Sequence, residues 1–435
     1  MRYFLLAIIT LLTIPLSVNA QFSASGGLGQ PYKAEGSGGV ESVYLFNTLS
    51  GAYLTFTSAN TAVRFYKYSD DTANKIAVPP SDITQPLPGT YQINNLQDGW
   101  GYIAEEGMAA PCVWVIDYSL YPANINSVTL PQGEGDEDCY TYGINIERTE
   151  SPLQYNENDG TTKALQRKYR VEWKNLKWND DSKQFVEEEK TEEKHLGTSN
   201  LYEISPVPLE NMTFTVSGDQ YARHFGIAQT VVSDEYQAVA IKAYILYADI
   251  KDGFESDTID SEGSAPITRH FYGYANDPVA YFYEWYIYKN GDETNPIARY
   301  PNETDITYTF TEAGKYKVVL EVSSANNACT ELAEAIEFEI SESSLEIPNF
   351  FSPGTSPGYN DEFKVKYKSL VKFKATIFNR WGNKLFEWSD PEQGWDGKYK
   401  GKYVSPGVYF YVIDATGSEG KRYKKAGDIN IVRGK

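Results

Sequence analysis

The chain has 435 residues, with 39 Lys and Arg against 59 Asp and Glu and a formal net charge of −20. That balance excludes a nucleic-acid partner, because neutralising phosphates needs basic surface. Length allows three or four domains, each able to bury its own core. Tyrosine is abundant, at 35, and methionine scarce, at 3. With many Val, Thr and Ile, this composition favours half-buried strands and predicts an all-β chain of tandem Ig-like sandwiches.

Residues 1–20 predict a signal peptide. Arg2 supplies a positive n-region, Phe4 to Val18 an apolar h-region, and Val18-Asn19-Ala20 a cleavage site before Gln21. The apolar run is short for a bilayer span, and Pro15 interrupts it. Gln21 in place of a cysteine at the cut argues against a lipoprotein. The expected mature protein is exported and keeps no transmembrane segment.

Residues 21–130 read as an Ig-like β-sandwich. After the linker QFSASGGLGQP come VYLFN, AYLTFT, VRFYKYS, KIAV, GTYQINN, GWGYIAE and CVWVIDY, separated by Gly, Asp, Asn and Pro. Residues 131–260 form a second β region, with YRVEWKNLKWN, QFVEEEKTEEKHL, TFTVS and EYQAVAIKAYILYADI. Within it, Tyr236 to Ile250 could pass as an amphipathic helix but alternates acceptably as a strand. The acidic run Glu187 to Glu193 reads as the solvated face and turn of a hairpin. Cys112 and Cys139 each open a strand-like run, and export permits a disulfide between them, leaving Cys329 over.

Residues 261–343 form a third unit, from YFYEWYIYKNG through DITYTFTEAGKYKVVLEVSS to AIEFEIS. Tyr308, Phe310, Tyr316, Val318 and Leu320 alternate with polar residues, giving two strands joined at Glu312-Ala313-Gly314. The stretch resembles the PKD-like Ig-type domain, in which a Tyr-x-Trp strand precedes such a hairpin. It departs at Lys289-Asn290-Gly291, where that family usually has Gly-Asp-Gly. The resemblance implies a spacer or adhesion module.

Residues 344–435 differ in charge. From Leu345 onward there are 16 Lys and Arg against 10 Asp and Glu, a net of +6, so the rest carries −26. Such asymmetry points to a different partner for the last domain. Phe373, Ala375 and Ile377 share one strand face; Val408, Phe410 and Val412 share another, opposite Tyr409 and Tyr411. Ile429 and Ile431 alternate again, and Gly382, Gly397, Gly401, Gly407 and Gly420 mark turns. The expected product is a small sandwich with aromatics in its core and on its faces.

The order IPNFFSPG, NDEF, FKATIFNRWGNKLFEW, GWDGKYKGKYVSPGVYFYVI and GDINIVRGK resembles the gliding motility-associated C-terminal domain. This is the type B sorting domain of the Bacteroidota type IX secretion system. The motif falls on Asn349, Phe351 and Pro353, then on Asn360, Asp361 and Phe363. It continues through Asn379, Arg380, Trp381 and Gly382 to Trp395, Asp396 and Gly397. Pro406, Gly407, Val408 and Tyr409 follow, and the terminal strand runs to Arg433. The loop GTSPGYND departs from the family's Asn-Gly-Asp-Gly and is one residue longer. The resemblance implies a translocon as partner, and display at, or release from, the cell surface.

No catalytic residue, metal ligand or cofactor is predicted. GTSPG fits a nucleophile elbow literally, but Pro357 lacks the amide that the oxyanion hole needs after Ser356. His195, His224 and His270 lack metal-ligand spacing, and GEGDED (133–138) lacks the EF-hand register. Trp100, Trp114, Trp173 and Trp178 are expected to pack in cores. The reading is therefore a non-enzymatic secreted protein with adhesive or structural upstream domains. Two others stay open: a glycan-binding protein using an aromatic platform in the first two domains, and a hydrolase whose carboxylate pair lies among the 59 acids; the extracellular ligand is expected to be a glycan or a protein.

Overall fold

The computed structural model describes residues 21–433 except 61, 132–138, 257–262, 278 and 356–357. The expected signal peptide, the run 133–138 and the pair 356–357 lie outside the described residues. Strands dominate the rest, with one short α-helix among the described residues, as the all-β expectation requires. No helix among them is long and apolar enough to cross a membrane.

In the first sandwich, strands Gln21–Ser25, Tyr53–Thr57, Thr90–Ile93 and Ile83–Leu87 form one sheet in that order. The facing sheet has six strands: Tyr32–Glu35, Ser42–Phe46, Cys112–Asp117, Trp100–Glu105, Arg64–Tyr68 and Ile76–Ala77. Phe22, Phe46, Leu54, Phe56 and Val115 fill the space between the sheets. The outer face of the six-stranded sheet is covered too. There Val43, Leu45, Trp114 and Ile116 pack against Leu153, Tyr155 and Tyr221 of the second unit. A sheet buried on both faces needs unbroken apolar strands, which is what SVYLF and CVWVI are.

The second sandwich sets Ala123–Thr129, Tyr142–Glu150 and Leu201–Ile204 against Gln184–Lys194, Tyr169–Asn179, Met212–Ser217 and Thr230–Tyr236. Ile125, Ile144, Val171, Trp173 and Phe214 form its core. Because Ala123–Thr129 pairs with Tyr142–Glu150, a boundary at 130 would cut off a strand of this sandwich. The acidic run lies on Gln184–Lys194, the edge strand of a hairpin, where Glu187 and Glu193 pair with Lys174 and Arg170 at 2.8 Å each. The stretch that could pass as a helix holds the end of one strand, Thr230–Tyr236, and most of another, Ala243–Lys251.

The real helix is Gln220–His224, which the sequence analysis did not anticipate. Asp219 caps it, accepting from the amides of Tyr221 and Ala222. The same carboxylate takes the Tyr118 hydroxyl at 2.9 Å and pairs with Arg167. Arg167 also donates to the carbonyls of Tyr121 and Ser151, at 2.8 and 2.9 Å. All three side chains are buried, so they latch the first two sandwiches together.

The third sandwich begins before 261, because Ala243–Lys251 pairs with Ile267–Ala275. Phe254–Ser256 and Asp305–Phe310 complete that sheet; Ala298–Pro301, Ala280–Lys289, Gly314–Ser324, Thr330–Leu332 and Ile336–Ile340 make the other. The expected hairpin at Glu312-Ala313-Gly314 is instead a crossing between sheets. Asp305–Phe310 pairs with Ile267–Ala275, and Gly314–Ser324 pairs with Ala280–Lys289. Phe310 and Tyr316 thereby reach one core from opposite sheets.

The expected Cys112–Cys139 disulfide is not formed. Cys139 bonds to Cys329, with Cα atoms 5.7 Å apart, and joins the second sandwich to the third. Cys112 is free and fully buried on the first sandwich's covered face, beside the Tyr68 hydroxyl. Burial pushes its thiol up to about 12.

The terminal sandwich has a five-stranded sheet, Phe350–Phe351, Arg422–Ile431, Gly407–Gly417, Leu370–Phe378 and Lys384–Trp388. Two ribbons accompany it, Ser344–Glu346 with Lys366–Lys368 and Lys398–Tyr399 with Lys402–Tyr403. Phe351, Phe363, Ala375, Ile377, Trp395 and Ile413 fill the core.

Candidate functional site

The register of the terminal sheet gathers the separated motif segments at one end. Phe378, just before the Asn379–Asn383 turn, pairs with Phe410; Gly407 pairs with Ile431, which runs parallel beside Phe351. Two further links close the end. Asn349 accepts from the Asn430 amide at 3.0 Å, and the Val432 amide donates to Phe351.

Most motif residues hold turns or core. Trp395 is fully buried against Phe351 and Tyr409, with ring centroids at 5.6 and 5.7 Å, and its indole donates to the Lys398 carbonyl at 2.9 Å. Gly397 has φ +75°, and a Cβ there would lie 2.7 Å from Pro353, which is itself buried. The Asn379 carboxamide oxygen accepts from the amides of Trp381 and Asn383 at 3.0 Å each, closing the turn in which Gly382 has φ +80°. Asp396 accepts from the Lys398 amide, and Asp361 from the Gly358 amide at 2.6 Å. Asn360, at φ 61°, offers its carbonyl to the Ser352 amide. The Tyr409 hydroxyl donates to the Ser405 carbonyl ahead of Pro406.

Asn349 and Asn360 are exposed at this end, and the other exposed motif side chains are few. Trp381 is 77% exposed, with the Arg380 guanidinium 5.6 Å from its ring centre. The ring stands in solvent because it sits at the tip of the turn. Pro406 is also exposed, and Arg433 lies 4.6 Å over Tyr403.

Beside this end lies a feature the alternation did not reveal. Val408, Phe410 and Val412, 42–48% exposed, form a row on the outer face of the five-stranded sheet. Their cross-strand partners are Asn430, Asp428 and Ala426 on one side, with Phe378 and Thr376 opposite Phe410 and Val412 on the other. Phe350, 50% exposed, extends the row through Asn430. Lys374 and Lys424 occupy the same sheet farther along. Alternation assigns Tyr409 and Tyr411 to one face and these residues to the other. It cannot say which face is covered.

Residues 345–431 match the CHU_C type IX secretion signal domain. A secretion signal domain of this kind implies interaction with the type IX machinery and export to the cell surface or the extracellular space. Residues 132–233 match a fibronectin type III domain, Fn3_FA, over most of the second sandwich. No curated protein matches the chain.

Among solved structures, dimeric latent PorU from Porphyromonas gingivalis is 9% identical, with TM-score 0.16; the match covers 72% of this chain and 34% of that one. The chain thus spans about a third of that protein. The N-terminal domains of the bacteriophage RB49 outer capsid protein Hoc are 11% identical over 71% of this chain and 98% of that one, with TM-score 0.21. The chicken CNTN1 FN1–FN3 domains are 9% identical over 71% and 99%, with TM-score 0.23.

Proposed function

We propose that the exposed end of the signal domain, built around Arg380 and Trp381 with the Val408–Phe410–Val412 row beside it, is the face that the type IX machinery reads. We further propose that the three upstream sandwiches serve a non-enzymatic adhesive or structural role once outside the cell. The observation that carries the first reading is convergence. Segments far apart in sequence meet at one end, and after their turn and core duties only a few motif side chains stay free to touch a partner. The second rests on domain kind, since fibronectin type III domains and secretion signals are non-catalytic modules.

Fusing residues 344–435 to an unrelated periplasmic reporter tests the first reading. The reporter is expected outside the cell, and the double variant Arg380→Ala, Trp381→Ala is expected to retain it in the periplasm while the domain stays folded. Normal export of that folded variant would move recognition away from this end. The second reading is tested by surface retention of cells carrying the full chain against cells lacking it. Equal retention would end the adhesive role.

A further inference from the structure

We infer that the cleft between the second and third sandwiches is a binding site for an oligosaccharide. The cleft has a volume of about 540 Å³ and is lined from both units. That size and domain-interface location are those of small-ligand sites, which combine aromatic walls with a few placed polar groups.

The walls are held apart by fixed bonds. The Cys139–Cys329 disulfide joins the two units at the cleft. Lys242 pairs with Glu331 at 2.6 Å. The fully buried Asn276 donates to the carbonyls of Leu209 and Ala240 at 2.8 and 3.0 Å, and its own carbonyl takes the Lys242 amide at 2.7 Å. A cleft held this way loses little entropy when a ligand enters.

One wall is aromatic. Trp178 stacks on Tyr244 with centroids 4.7 Å apart, and Phe185 meets Trp178 edge-on at 5.4 Å. All three are half-buried and line the cleft, and Tyr274 backs the Trp178 ring at 5.2 Å. The apolar C–H face of a pyranose can lie flat on such a surface.

The polar groups suit hydroxyls. Asn175 is only 2% exposed and lines the cleft. Its carboxamide oxygen is identified by two amide donors, Leu176 and Leu209, both at 2.8 Å. The NH₂ end therefore remains as a donor, and it makes no hydrogen bond with the described residues. Lys177 lines the same cleft and forms no ion pair among the described residues. Glu188 and Lys190 neutralise each other at 2.7 Å, as do Lys242 and Glu331. With Lys190 and Lys242 compensated, Lys177 is the one uncompensated charge among these lining residues, and together with the Asn175 donor it favours an acceptor-bearing, hydroxyl-rich ligand over a cation.

The test titrates the mature, disulfide-bonded chain with cellohexaose, xylohexaose and chitohexaose, and with an uncharged unstructured peptide of similar mass. At least one saccharide is expected to bind with a dissociation constant below about 1 mM. Trp178→Ala should weaken binding at least tenfold. Lys177→Ala should weaken it about threefold without moving the melting temperature, which keeps the test decisive if the tryptophan variant fails to fold. No saccharide binding, binding of the peptide alone, or unchanged affinity in folded Lys177→Ala and Trp178→Ala would overturn the proposal. The outcome is independent of export, which rests on the signal domain.

Discussion

The six-stranded sheet of the first sandwich and the five-stranded sheet of the signal domain invite comparison. Each has a central strand rich in large apolar residues, Cys112–Asp117 in one and Gly407–Gly417 in the other. In the first, both faces are covered: Trp114 is 2% exposed because elements of the second sandwich lie on it. In the signal domain the corresponding outer row, Val408, Phe410 and Val412, is left at 42–48%. Apolar residues on a strand face thus serve two ends. One face joins domains permanently, and the other stays exposed, the face proposed above to meet a partner later.

The largest expected effects fall on the covered side. Asp219→Ala takes the close carboxylate from buried Arg167 and leaves only Glu150, 4.0 Å away; a broken buried pair costs about 3–5 kcal/mol. Trp114→Ala should cost a similar ~3–5 kcal/mol through the cavity it leaves. Chemical denaturation should show both, with the first two sandwiches losing stability together. Unchanged midpoints would mean that the joint is not a true core.

Reducing Cys139–Cys329 comes next. The bridge closes a loop with a sequence separation of 190, and its loss should cost about 2–4 kcal/mol. Non-reducing peptide mapping should recover Cys139 with Cys329 and Cys112 as a free thiol. A Cys112–Cys139 peptide would contradict the structure directly.

On the open side, Phe410→Ala and Trp381→Ala should each change stability by no more than about 0.5 kcal/mol, the range of ordinary surface changes. Export should nonetheless fall, so melting and secretion would separate. Trp395→Ala supplies the contrast, unfolding the domain and lowering export only indirectly.

The smallest effect concerns pH. Glu419 accepts from the Ser343 hydroxyl at 2.5 Å and the Ser343 amide at 3.1 Å, at the start of the signal domain. Partial burial raises its carboxyl, but the Ser343 hydrogen bonds, with a contribution from Lys421, outweigh this and hold it below the ordinary 4.5. A lowered folded value means that the contact's stability is present above 4.5 and is lost as pH falls through the lowered value. Limited proteolysis around residues 341–346 should accelerate under acid, and Glu419→Gln should remove that acid dependence.

Several features were legible before any coordinates. The aromatic alternation of YFYEWYIYK and GVYFYVIDATG requires strands, and the order of NRWG, WDG and PGVY identifies the signal domain. Less legible was the pairing of strands. Asp305–Phe310 and Gly314–Ser324 look like a hairpin because only three residues separate them, yet hydrogen bonding sends them to different sheets. The helix Gln220–His224 escaped notice because five residues carry no periodicity, and its stability comes from Asp219 and from packing on the first sandwich.

Taken alone, the sequence determined the all-β class and the residues that turn or alternate, because backbone conformation and side-chain period are local properties. Tertiary structure decided which of two apolar faces is covered, which cysteine meets Cys139, and that Trp381 stands in solvent while Trp395 does not. Those outcomes depend on what another part of the chain, distant in sequence, brings against each residue. Period and spacing carry no record of that neighbour.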